Sequence, residues 1–361
     1  MMPARRRLAA IGVLGLLGTG TLTALASPAS AHGIGGTQPT NYESTITSVH
    51  PATRGVHVEL VDLGDRLQLT NDSGRDVVVL GYDDEPYLRV GPRGVFENVK
   101  SPATYINRSF TTITAPPASA DSSAAPVWRR VSDGNVARWH DHRAHWMGTD
   151  APPQVQRDPS GRHLIDRWRV PLRIRDETVE VRGVLAWEPP PSPWPAVVLA
   201  VVLAATVIGL SRTRRWRGVL VLALSGLVVS SAAHTVGHWG ASTAGFGTIL
   251  LESIYGIVGI ALGVVALVWA GRRGVAAAVP LILVASVFLL VATGLSDIAT
   301  IGHSFVPSSL PASLARLAVT STIGLGVGLA VASALRLRTT APTGPRRAGA
   351  HHAQETSTVT S

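Results

Sequence analysis

Three histidines fall within six residues in the run Trp139-His140-Asp141-His142-Arg143-Ala144-His145-Trp146-Met147. Neutral imidazole is the commonest side-chain ligand of transition metals. Read as a strand, this run places His140 and His142 on one face, as two ligands of one ion require. His145 is then a third ligand or a supporting contact. Asp141 or Asp150 can orient a ring, and the flanking tryptophans give the site an apolar shell. The spacing suits copper and equally a tetrahedral zinc site. It also suits an incidental surface cluster at a domain edge. His50, His57 and His163 stand alone and read as ordinary core or surface residues.

A fourth ligand comes from processing. Met1–Arg7 is basic, Leu8–Ala26 is apolar, and Ser27-Pro28-Ala29-Ser30-Ala31 ends in a small-x-small box. That pattern predicts a signal peptide over residues 1–31, cut before His32. Arg5-Arg6-Arg7-Leu8 also suits twin-arginine export, so the route stays open. A chain beginning at His32 offers one ion both an α-amine and an imidazole. The amine, with an ordinary pKa of about 7.7–8.0, gives up its proton readily when a metal competes. Paired nitrogens of this kind favour Cu(II).

Composition removes several alternatives. Without cysteine there are no disulfides, thiolate metal sites or Cys nucleophiles. No phosphate loop, zinc-protease helix or nucleophile elbow is present, so catalysis would have only the metal to rest on. The formal charge of +9 suggests nucleic acid until it is placed along the chain. Residues 32–193 carry 18 Lys/Arg against 20 Asp/Glu, and the excess lies in Arg5–Arg7, the short loops between apolar runs, and the C-terminal tail. That distribution marks membrane topology and excludes a basic nucleic-acid face.

The elements that must position these residues form two blocks. Within 32–188, Val56–Leu60, Leu67–Leu69, Val77–Leu80, Trp168–Ile174 and Val179–Trp187 read as strands, most of them alternating apolar and polar residues, with turn signals between them. They predict an all-β sandwich of immunoglobulin or cupredoxin type. Residues 115–126 read as a flexible excursion and 189–193 as a proline linker. Five apolar runs follow over 194–336: Trp194–Leu210, Gly218–Ala233, Phe246–Ala270, Val275–Thr293 and Leu314–Leu335. They predict a five-helix bundle in the lipid bilayer. Export of the β domain makes the arginine-rich loops cytoplasmic, together with a disordered tail over 337–361. The same topology gathers His234, His238, Glu252, Asp297, His303 and Arg316 at the outer side. They read as a second metal site or relay (His234, His238, His303), as histidine ligands of a haem, or as simple caps in which Asp297 or Glu252 pairs with Arg316.

A mature N-terminal histidine paired with a distant His-x-His, in an exported β domain anchored by helices, resembles the copper site of the B subunit of particulate methane and ammonia monooxygenases. The resemblance implies a cupredoxin-like domain with His32, His140 and His142 as copper ligands. The present chain has five consecutive C-terminal helices and no second exported domain, so the resemblance reaches the ligands and stops short of oxygenase activity. A looser likeness is to copper-resistance proteins, in which an exported copper-binding domain works beside a polytopic one. The expectation is a membrane-anchored copper-handling protein, with an enzymatic role, such as that of a copper oxidase, left open. Its alternative is an exported interaction module, bound to other exported or membrane proteins, whose histidines are incidental.

Overall fold

The computed structural model describes residues 37–108 and 115–340. The predicted signal peptide, His32 and the tail beyond Thr340 lie outside the described residues. Ten antiparallel strands occupy the N-terminal half: β1 (Tyr42–His50), β2 (Val56–Val61), β3 (Arg66–Asn71), β4 (Val77–Leu80), β5 (Pro86–Gly91), β6 (Gly94–Asn98), β7 (Trp128–Ser132), β8 (Val136–Trp139), β9 (His163–Ile174) and β10 (Glu177–Trp187). Seven form one sheet in the order β1-β10-β9-β4-β5-β6-β7, and three form another in the order β2-β3-β8.

Period-two patterning accounts for the burial. In β9 Trp168, Val170, Leu172 and Ile174 point inward, while Arg167, Arg169 and Arg173 point out. In β3 Leu67 and Leu69 do the same. The two sheets contribute to one core, in which Leu67, Leu69, Ala137 and Trp139 meet Val79, Val90, Leu172 and Val181. β9 and β10 are joined by Arg175-Asp176, with Arg175 at φ 56°, the left-handed backbone that a tight hairpin needs. Opposite Trp168 stands Gly183, where a Cβ would lie 2.1 Å from the indole. Only glycine lets that ring lie flat on β10. Residues 115–126 form turns and bends without helix or strand.

The C-terminal half is helical: α1 (Trp194–Leu210), α2 (Trp216–Ala241), α3 (Phe246–Glu252), α4 (Ile254–Arg273), α5 (Val275–Leu289) and α6 (Ala312–Thr340). Four helices are long and apolar enough to cross a membrane: α2 with 26 residues, α4 with 20, α6, and the 28-residue stretch Val275–Gly302 that continues α5. Within that stretch Leu290–Leu295 is a π-helical turn. α1, with 17 residues, is shorter. The apolar run expected as one helix from Phe246 is broken at Ser253, so Glu252 ends a short helix and does not enter a long one. Leu220, Leu224, Leu227, Ile282, Leu289 and Leu329 fill the bundle core. α1 lies against α6 where Gly324 and Gly328 leave room: a Cβ on Gly324 would lie 2.7 Å from the Ala200 carbonyl, and one on Gly328 2.9 Å from Val207. Small residues of this spacing let helix backbones approach closely.

The β domain is bonded directly to one end of the bundle. Thr40 and Phe305 exchange two backbone hydrogen bonds of 3.0 and 2.9 Å. The Ser304 amide donates to Asn41 Oδ1 at 2.8 Å, and its hydroxyl donates to the Pro189 carbonyl at 2.8 Å. On another side, the Thr243 hydroxyl donates to the Asp62 carboxylate at 2.8 Å, and Arg138 Nη1 donates to the Thr243 carbonyl at 3.2 Å.

Candidate functional site

The β-domain histidines sit just past a strand end. β8 stops at Trp139, and His142–Ala144 is a 3-10 turn. This corrects the expectation of a strand through His140 and His142. The rings still meet, because the turn folds the chain back: His140 and His142 centroids lie 5.2 Å apart, and His145 stacks on His140 at 4.2 Å.

Asp141 builds that turn. It is fully buried, accepts from the Arg143 amide at 3.2 Å and from Trp139 Nε1 at 3.0 Å, and pairs with the Arg143 guanidinium at 2.8 Å. Arg143 in turn donates to the Leu80 and Gly81 carbonyls, both at 3.1 Å, bolting the turn to the end of β4. Burial alone would raise the Asp141 carboxyl, but Arg143 and the Trp139 indole hold it below the usual carboxylate range. Asp141 therefore shapes the loop through Trp139 and Arg143, in place of the ring-orienting role expected for it. Asp150 does not orient a ring either; its backbone carbonyl accepts from Trp146 Nε1 at 2.7 Å. Of the flanking tryptophans, Trp139 is buried and Trp146 is exposed.

The group that does orient His140 is a backbone carbonyl. His140 Nδ1 lies 2.7 Å from the Asp65 oxygen, which can only accept, so the proton is on Nδ1 and the lone pair on Nε2. Burial pushes the His140 imidazole below its ordinary range. Burial, reinforced by His140, pushes His145 down to about 3. At neutral pH both rings are uncharged, the form that binds metal. The loop that carries Asp65 is unusual: Asp62, Leu63 and Gly64 all have positive φ, at 54°, 59° and 93°. The strained turn aims the Asp62 carboxylate at Thr243 and the Asp65 carbonyl at His140. Sequence alone does not single out this turn, and its partner His140 is 75 residues away.

At the bundle end, α2 continues past Ala233, so His234 and His238 share a face as expected. His234 Nε2 lies 2.9 Å from Asp297 Oδ2, and His238 Nε2 lies 3.9 Å from Glu252 Oε2. All four side chains are at most 12% exposed. Pairing of Asp297 or Glu252 with Arg316 is not observed. Arg316 instead donates to the His303 and Ser304 carbonyls at 2.7 and 3.0 Å. His303 turns back onto its own helical turn, with Nδ1 2.7 Å from the Ala299 carbonyl, and does not line the crevice that His234 and His238 share. That crevice is small, about 20 Å³, room for one water or one ion, and Thr37, Gln38 and Pro39 line it from the β-domain side. Below it Thr235, Ser231, Thr293, Thr322 and Ser230 satisfy one another and nearby carbonyls through hydroxyl bonds of 2.9–3.4 Å.

Among the described residues, no three His, Asp or Glu side chains converge closely enough to hold a metal by themselves. Compared with protein families, curated proteins and solved structures, the chain matches none.

Proposed function

We propose that this chain is a membrane-anchored copper-binding protein whose β domain faces the outside and handles the ion at the membrane surface. The observation that carries the reading is the His140 ring. Its Nδ1–H is committed to the Asp65 carbonyl, which leaves the lone pair on Nε2, and the rings of His142 and His145 lie 5.2 and 4.2 Å from it, centroid to centroid. Metal-binding histidines are held in this way by the hydrogen bond of their second nitrogen. Three imidazoles without a carboxylate in the group suit copper, with zinc as the competitor.

The set needs one more ligand, and His32 is the candidate. The described chain starts at Thr37 in the crevice between domain and bundle. His32 lies outside the described residues, and its part in the set rests on the cut expected before it. We read the two sheets around one core as a cupredoxin-like sandwich. We read α1 as a fifth span: it is apolar throughout and seated on the Gly324/Gly328 groove of α6. Five spans place the arginines of 212–217, 272–273 and the tail on the cytoplasmic side, in agreement with the positive-inside rule.

The test is copper titration of the purified, signal-processed full chain, followed by metal analysis and EPR. Wild type is expected to bind copper stoichiometrically at nitrogen ligands. His140→Ala and His142→Ala should each weaken that binding at least tenfold, while His163→Ala should leave it unchanged. Equal binding by all four chains would leave an interaction module with incidental histidines as the surviving reading.

A further inference from the structure

We propose a second transition-metal site at the β-domain end of the helix bundle, where His234 and His238 hold a divalent ion weakly enough to pass it on. The site itself stands on bundle geometry. Its supply from the β-domain histidines rests on the function proposed above.

His234 carries the argument. Its Nε2 donates to Asp297 Oδ2 at 2.9 Å, and its Nδ1 is buried without a hydrogen-bond partner. Buried ring nitrogens are ordinarily satisfied. Protonating the ring does not help, because Nδ1 would then be an orphan donor in place of an orphan acceptor. A metal ion at Nδ1 answers the vacancy in the neutral tautomer that Asp297 already selects. One helical turn away, His238 lines the same crevice and has Glu252 beside it at 3.9 Å. His234 thus has a hydrogen-bonded carboxylate at its back, the arrangement that raises ligand basicity in metal centres, and His238 has one close by at 3.9 Å.

The backbone is deformed to produce this pairing. The π turn at Leu290–Leu295 shifts the hydrogen-bond register, so that the Ser296 amide bonds to the Val291 carbonyl at 3.2 Å. The Ser296 hydroxyl takes up the Ala292 carbonyl at 2.8 Å. A π turn inserts one residue into the helix and rotates everything after it by roughly 100°. Here the first acidic residue after the turn is Asp297, and it faces His234.

Two nitrogen ligands with the remaining positions open to the crevice give modest affinity and fast exchange. A site that passes an ion must bind it well enough to load and loosely enough to release. The chemistry (imidazole nitrogen backed by carboxylate) fits Cu(II) or Zn(II). The two histidine segments are tied through one turn: Asp65 holds His140, and Asp62, three residues earlier, holds Thr243, five residues beyond His238.

The experiment is equilibrium binding of Cu(II) and Zn(II) to the full chain in nanodiscs, by metal analysis after dialysis across a range of free metal. Wild type is expected to bind two equivalents of different affinity. His234→Gln keeps a donor for Asp297 but removes the ring nitrogen, so a folded chain should lose only the weaker equivalent. His238→Ala should do the same, and Asp297→Asn should weaken that equivalent by about 10–100-fold. His140→Ala/His142→Ala should lose only the tighter one. If His234→Gln and His238→Ala both bind as wild type does, the bundle site is wrong, whatever the β-domain variant shows. If only the β-domain variant is silent, the bundle site stands and the function proposed above fails.

Discussion

The two histidine groups of this protein are held by different means. In the β domain the orienting partner of His140 is a neutral backbone carbonyl, and the nearest carboxylate, Asp141, is spent on Arg143. In the bundle the partners are the carboxylates themselves, Asp297 behind His234 and Glu252 beside His238. The first arrangement keeps His140 and His145 uncharged at neutral pH. The second surrounds the rings with anions inside an apolar bundle, where ionisable groups are costly and commonly mark a pathway. One sequence therefore builds a carbonyl-held imidazole cluster and a carboxylate-backed histidine pair at one junction, and the difference can be tested by mutation and by pH.

The largest effect should come from Asp141. Its removal leaves Arg143 buried without its anion and releases the turn that gathers the rings. Breaking a buried pair from one side costs about 3–5 kcal/mol. Asp141→Ala is thus expected to lower the unfolding temperature of the β domain sharply and to abolish the copper equivalent assigned to it. A stable Asp141→Ala chain would mean that Arg143 finds another partner and that the turn is held by the His142 amide, which donates to the Tyr82 hydroxyl at 3.2 Å.

Next comes acid sensitivity. A free imidazole titrates near 6.5, whereas folding pushes His140 down and His145 to about 3. The unfolded chain then takes up protons that the folded domain refuses. Stability from these rings is complete above roughly pH 6.5 and drains away as pH falls toward 3. Asp65 works the other way: burial, with the Asp62 charge, raises it to about 6, so its contribution grows as pH falls from 6 to its ordinary value. A difference measurement separates them. At pH 5, wild-type unfolding should take up about one proton more than unfolding of His145→Asn. Equal uptake would show that His145 is open to protons in the folded state, and the cluster would lose its contrast with the bundle.

Much of this architecture is legible in sequence, and the illegible part has a physical cause. Alternation in Val56–Leu60, Leu67–Leu69 and Trp168–Ile174 finds strands β2, β3 and β9, because one face of each is buried and the other is wet. β5 and β6 are short and bounded by Pro86, Gly91 and Gly94, and β7 is almost wholly exposed, so neither pattern nor composition marks them. Apolar length alone finds the helices. It misses the break at Ser253 and the π turn at Leu290–Leu295, since local hydrogen-bond register leaves no trace in hydropathy. The grouping of His140, His142 and His145 could be read from spacing, although the strand assumed for it ends too early. The partners could not be read at all. Asp65, Asp297 and Glu252 are supplied by tertiary contacts, and of their pairings only the possibility of carboxylates near the bundle histidines was apparent beforehand.

The smallest expected effect tests whether the two groups communicate. Thr243 donates to both oxygens of Asp62 at 2.8 and 2.9 Å, and Asp62 sits in the same left-handed turn as the Asp65 carbonyl that orients His140. Thr243→Val keeps the shape and removes the donor. Water can reach this partly exposed contact, so the cost should be on the order of 1 kcal/mol. The Thr40–Phe305 pairing and the Ser304–Asn41 bond are untouched, so the domain should stay docked. What should change is local: hydrogen exchange is expected to quicken about fivefold over residues 62–66 and 241–245, consistent with that free energy. Asp62→Asn retains an acceptor and should fall between Thr243→Val and wild type. If exchange over residues 62–66 is unchanged in both variants, the turn is held by the β domain alone and the two histidine groups are neighbours without coupling. If it quickens and the copper affinity of the β-domain group drops with it, the bundle reaches that group through Asp62, Asp65 and His140.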